Sequence, residues 1–83
     1  MKVKVRLFAI LKDNIKSELM ELELPEGSRG KEVLVELGKR FPNIKGTIEK
    51  SAIAVNENYI LPEERISENA EIAIIPPVSG GMG

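Results

Sequence analysis

The chain has 83 residues, 30% of them charged, with 12 Lys and Arg against 13 Asp and Glu for a net charge of −1 at pH 7. That length supports one domain, burying roughly 60–65% of its unfolded surface. The balanced charge argues against a generic pull toward nucleic acid or an anionic membrane surface, so neither is expected as a partner. One Tyr, two Phe and no Trp make a poor platform for stacking bases. Cys and His are both absent, which rules out disulfides, Cys or His metal sites, and nucleophilic catalysis by Cys or by Ser with a His base. Met1-Lys2-Val3-Lys4-Val5 alternates instead of forming an apolar leader, and no apolar run nears membrane-spanning length. A soluble, cytoplasmic protein is expected.

Residues 2–9 alternate, with Val3, Val5 and Leu7 on one face and Lys4, Arg6 and Phe8 on the other, which predicts a half-buried strand. Residues 18–24 alternate again, Met20, Leu22 and Leu24 opposing Leu19, Glu21 and Glu23. Asp13-Asn14 between them is a turn signal, so the two strands read as an antiparallel hairpin with a long loop. Pro25-Glu26-Gly27-Ser28 ends the second strand and opens a helix with Ser28 as its N-cap. Val33, Leu34, Leu37 and Phe41 form that helix's apolar side, opposite Glu32, Glu36, Lys39 and Arg40. Gly30 lies on the apolar side, where a missing side chain permits close approach to a sheet. Gly38 has no evident reason there. Phe41-Pro42 stops the helix.

Ile44 and Ile48 are spaced for a short helical turn under the sheet. Ser51–Val55 reads as a strand, Asn56-Glu57-Asn58 as a turn and Tyr59–Leu61 as a brief extended piece. Residues 62–69 form a charged connection, and Glu71–Ile75 is the last strand, with Ile72 and Ile74 inward, Ala73 and Ile75 outward. Glu63, Glu64, Glu68 and Glu71 lack calcium-loop spacing and read as solvated charge; no metal site is expected. The result is a mixed sheet around one helix, in an order whose strand pairing is open at this point.

The chain then runs Pro76-Pro77-Val78-Ser79-Gly80-Gly81-Met82-Gly83. Two prolines stiffen the exit and cannot extend a β-ladder as donors. The glycines lack a Cβ, so the backbone fits a narrow channel and approaches a reactive ligand closely. A frayed, glycine-rich terminus is the plainer reading of Gly-Gly alone.

The element order, Ala54-Val55-Asn56 before a turn, and Ile74-Ile75-Pro76-Pro77-Val78-Ser79-Gly80-Gly81 together resemble the β-grasp sulfur-carrier family, the MoaD-like and ThiS-like proteins. Within it the chain is most similar to the small subunits of molybdopterin synthase. The resemblance spans essentially the whole chain, and Pro-Pro-Val-Ser-Gly-Gly is its most specific part. It implies an α+β, ubiquitin-like β-grasp fold, with a mixed sheet of four to five strands wrapped on one main helix. The domain would cover residues 1–77 and a flexible tail residues 78–83.

The chemistry implied is that of a carrier, not an enzyme in its own right. An E1-like adenylating enzyme, using its own ATP, activates the terminal glycine. A sulfur donor then leaves a C-terminal thiocarboxylate, and a MoaE-like large synthase subunit receives the tail. No cofactor would be bound directly, and the chain has no phosphate loop of the Gly-x-x-x-x-Gly-Lys type. By the same resemblance Gly81, preceded by Gly80, is the activated end, while Phe8, Tyr59, Ile75, Pro76, Pro77 and Val78 form the partner-docking surface. Isolated exposed apolar residues are also common without function.

Met82-Gly83 departs from the family pattern, because it ties the Gly81 carboxyl into a peptide bond. Proteolytic trimming to Gly81, use of Gly83 as the working end, or an inactive copy all remain open. Trimming is preferred, since two extra residues displace the reactive carbonyl by about 7 Å when extended. Two other functions fit the same residues: a ubiquitin-like modifier conjugated to lysines through its glycine, and an interaction module whose tail is never activated.

Overall fold

The computed structural model describes residues 1–77; Val78, Ser79, Gly80, Gly81, Met82 and Gly83 lie outside the described residues. The elements in chain order are β1 (Lys2–Leu7), α1 (Ala9–Ile15), β2 (Leu19–Glu23), α2 (Gly30–Arg40), a 3-10 turn (Pro42–Ile44), α3 (Lys45–Glu49), β3 (Ala52–Val55), β4 (Asn58–Ile60) and β5 (Glu71–Ile75). The strands form one mixed sheet in the order β2-β1-β5-β3-β4. β1 pairs antiparallel with β2 and parallel with β5, while β3 pairs antiparallel with both β5 and β4.

This topology follows from where the apolar residues fall. β5 is apolar at Ile72, Ala73, Ile74 and Ile75, and it takes a position with a neighbour on each side. Ile72 and Ile74 are buried on its inner face, and Ala73 and Ile75 on its outer face are half-buried between the flanking strands. The parity of β1 holds: Val3, Val5 and Leu7 are buried and Lys2, Lys4 and Arg6 exposed. The inner face, completed by Leu22, Ile53, Ile72 and Ile74, packs with Val33, Leu34 and Leu37 of α2 and with Ile48 of α3 in one core. Ile66, from the charged connection, and Ala70, just after it, are buried in the same cluster.

Three local expectations are corrected. Residues 10–17 are not an irregular loop: α1 occupies most of them, and Leu11 is fully buried. Lys16, at φ 65°, ends α1 in the left-handed region, its N–H donating to the Lys12 carbonyl at 2.8 Å. Nor is Ser28 the N-cap of α2. Its hydroxyl donates to the Pro25 carbonyl at 2.7 Å, closing the preceding turn, and Arg29 takes the cap position. There the Glu32 carboxylate accepts the Arg29 N–H at 2.6 Å, the half of a capping box that an Arg side chain leaves possible. The next two amides are also satisfied, Gly30 N–H by the Glu64 carbonyl and Lys31 N–H by the Pro62 carbonyl, both at 2.9 Å.

Gly38, third, has a reason: a Cβ there would stand 3.1 Å from Cγ of Lys45, where α3 crosses α2. Gly30 behaves as its position predicts. A Cβ would stand 2.9 Å from Ile53 Cδ1 and 3.3 Å from Ile60 Cδ1, so the bare backbone sets how closely α2 sits on the sheet.

Candidate docking face and tail exit

Helices cover the inner face of the sheet, which leaves the outer face to display residues. Pairing register brings side chains from all five strands into one row: Tyr59 opposite Ala54, Ala54 opposite Ala73, Ala73 beside Arg6, and Arg6 opposite Leu19. A second row places Ile75 opposite Ala52. Phe8 follows directly after Leu7, which is in register with Ile74, so Phe8 and Ile75 leave the same end of adjacent strands. Three alanines, 52, 54 and 73, thus make a low floor between larger residues, with Ala52 exposed, Ala73 half-buried and Ala54 buried.

The predicted docking residues sort clearly. Tyr59 is 72% exposed and Phe8 43%. Ile75 is half-buried instead of fully outward, because its neighbours on β1 and β3 flank it; Pro76 is half-buried and Pro77 exposed. Phe8, Ile75, Pro76 and Pro77 cluster by chain position where β5 ends. Tyr59 lies on β4, two strands from β5 and three from β1, about 10 Å and about 14 Å across the sheet at ordinary strand spacing, and the alanine floor lies between. Val78, Gly80 and Gly81 fall outside the described residues, as does the proposed cleavage point before Met82.

Sequence reasoning missed the floor, since a single strand's alternation says nothing about which alanines align across strands. It also left Leu19, 47% exposed and in register with Arg6, unused although its outward parity was legible. The face carries charge as well: Arg6 Nε donates to Glu71 Oε2 at 3.0 Å. Arg6, Phe8, Ala73, Glu71 and Glu57 line a shallow depression of about 290 Å3. This arrangement offers a flat apolar surface beside a chain exit. Such a surface suits recognition, with the chemistry carried out elsewhere.

Among the described residues no helix is long and apolar enough to cross a membrane. The sheet order, with parallel first and last strands and a helix crossing between the hairpin and the later strands, is the β-grasp arrangement. A single small β-grasp domain whose last, central strand releases the chain beside an apolar face defines the class of ubiquitin-like carriers and modifiers. The chain belongs to the ThiS family, whose model matches residues 5–81.

Among its relatives, a molybdopterin synthase sulfur carrier subunit of Dictyostelium discoideum is 41% identical over 81 residues, covering 94% of each chain. The small archaeal modifier protein 1 of Methanosarcina acetivorans superposes with a TM-score of 0.80 at 30% identity, over 96% of each chain. A chain of the complex of subunits 1 and 2 of the molybdopterin-converting factor of Helicobacter pylori gives 0.66 at 27% identity, over 98% of this chain and all of that one.

Proposed function

We propose that this protein is the sulfur-carrying small subunit of a molybdopterin synthase. The observation that carries this reading is the 41% identity to a sulfur carrier subunit across 94% of both chains, on a fold whose last, central strand ends beside an exposed apolar face. Its working end on this reading is Gly81, freed by removal of Met82 and Gly83; the family match likewise stops at residue 81. An E1-like enzyme joins the Gly81 carboxylate to the AMP part of ATP, with pyrophosphate leaving. Sulfide-level sulfur released by a donor then attacks the carbonyl, a C–S bond forms, AMP departs with its bridging oxygen, and the thiocarboxylate is left. The exchange is favourable because AMP is a far better leaving group than oxide, and glycine leaves the attacked carbon uncrowded.

The protein is not an enzyme by itself on this account. It supplies a docking face built on Phe8, Tyr59 and Ile75, a stiff exit at Pro76, Pro77 and Val78, and the Gly80-Gly81 end. It binds no cofactor directly, and it works in the cytoplasm with a large synthase subunit, for which the two-subunit Helicobacter pylori complex is support. Reconstitution tests the reading. The chain ending at Gly81, its adenylating enzyme, ATP and a sulfur donor should yield a thiocarboxylate that the large subunit consumes in making molybdopterin. Failure of the large subunit to draw sulfur from a thiocarboxylated chain would refute it. The likeness to the Methanosarcina modifier favours a second reading, conjugation through Gly81 to target lysines; isopeptide-linked adducts in native cells would establish that activity.

A further inference from the structure

The β3–β4 hairpin closes through two residues, Asn56 and Glu57, with Val55 opposite Asn58. Both are left-handed, at φ 49° and 74°. This is the turn that favours Asn followed by Gly. Asn56 fits it: its side-chain oxygen accepts the Glu71 N–H at 3.2 Å, and its own N–H donates to the Glu71 carbonyl at 2.9 Å.

Glu57 does not fit. It carries a Cβ where glycine is unstrained. Among the described residues its carboxylate joins no hydrogen bond and no ion pair that would offset that strain. The Asn56–Glu71 bonds hold the turn in place, so the left-handed Glu57 is kept although its own side chain contributes nothing to the fold, and strained positions of this kind cluster at binding surfaces.

The position of Glu57 indicates what that is. With Arg6, Phe8, Glu71 and Ala73 it lines the depression on the outer face. Arg6 and Glu71 neutralise each other at 3.0 Å. Lys4, in register with Glu71, does not line the depression. Glu57 therefore provides the depression's uncompensated charge, next to an apolar seat floored by Ala73 and walled by Phe8.

We propose that Glu57 is a specificity residue of the docking face: it receives an ammonium or guanidinium group of the large synthase subunit, whose neighbouring apolar side chain sits against Phe8 and Ala73. This inference rests on the small-subunit reading and adds the partner's chemistry to it. An acidic partner surface is rejected at this point by like-charge repulsion, which makes Glu57 a selector among partners that share the apolar contact.

The test is the affinity of the full chain for the large subunit encoded in the same genome, by titration calorimetry at low and high salt. Glu57→Gln keeps the side chain's shape and should weaken binding about three- to tenfold at low salt. Glu57→Lys should weaken it further, and both losses should shrink at high salt. Glu57→Gly should raise the melting midpoint by about 4 °C while weakening binding as Glu57→Gln does, an opposition of signs that a purely structural turn residue would not give. Wild-type affinity in Glu57→Gln and Glu57→Lys at low salt would overturn the proposal and leave the small-subunit reading standing. Absence of binding by the wild type itself would overturn both.

Discussion

Three glycines in helices allow the packing account to be tested with one substitution. At Gly30 an added methyl meets Ile53 Cδ1 at 2.9 Å, Ile60 Cδ1 at 3.3 Å and the Pro62 backbone at 3.5 Å. Ile53 is only 2% exposed, so its methyl has no free space to enter, and the backbone at Pro62 is held by its carbonyl's bond to Lys31 N–H. Overpacking of this kind costs about 1–3 kcal/mol. The intrinsic preference of a helix for Ala over Gly returns at most ~1 kcal/mol, and less at a first helical residue.

Gly30→Ala should therefore lose about 1–2 kcal/mol net, lowering the melting midpoint by about 4–16 °C in a domain this size. At Gly46, in α3, an added methyl meets nothing within 4 Å, so Gly46→Ala should gain about 0.5–1 kcal/mol. At Gly38 the 3.1 Å approach is to the stem of Lys45, an exposed side chain able to shift, and the two effects should nearly cancel. Urea unfolding followed by circular dichroism gives all three values. The reasoning is refuted if Gly30→Ala is as stable as wild type, or if Gly46→Ala is the least stable of the three.

Leu11→Ala should cost about 2–5 kcal/mol, because Leu11 is a fully buried member of the core; a change near zero in chemical denaturation would mean that α1 is a surface loop after all. Phe8→Ala and Tyr59→Ala should each shift stability by less than about 1 kcal/mol. Both should weaken binding of the large subunit about tenfold or more, as anchors of an apolar patch do. Unchanged affinity in both, measured by calorimetry, would remove the outer face from the interface. Glu32→Ala removes the acceptor for the Arg29 N–H and should lower stability by about 1 kcal/mol; equal unfolding midpoints would show that the 62–66 segment alone holds the start of α2.

Much of this was legible in the sequence wherever one element carried its own signal. The alternation of Val3, Val5 and Leu7, the inward parity of Ile72 and Ile74, and the apolar side of α2 all appear in the structure as read. α1 was missed because seven residues are too few for a helical period to stand out, and Asp13-Asn14 reads locally as a turn. In fact Leu11 and Ile15, four apart, were the helical pair that the turn signal masked. Ser28 looked like a cap by residue type, yet the bridge between Arg29 and Arg65 holds Arg29 extended and moves the helix start by one residue.

The parallel pairing of β1 with β5 joins residues more than sixty positions apart, and no local pattern encodes that. The same limit hid the docking floor: Ala52, Ala54 and Ala73 are unremarkable in sequence and become a surface only when register aligns them. Gly38 likewise acquired a reason only once α3 was seen to cross it.

The central claim is that this chain carries sulfur on the carboxyl of Gly81. The most direct test is the intact mass of the protein recovered from its native cells without reducing agent or acid. The account predicts a chain ending at Gly81 with one terminal oxygen replaced by sulfur. An unmodified chain still ending at Gly83, in cells actively making the molybdenum cofactor, would contradict it.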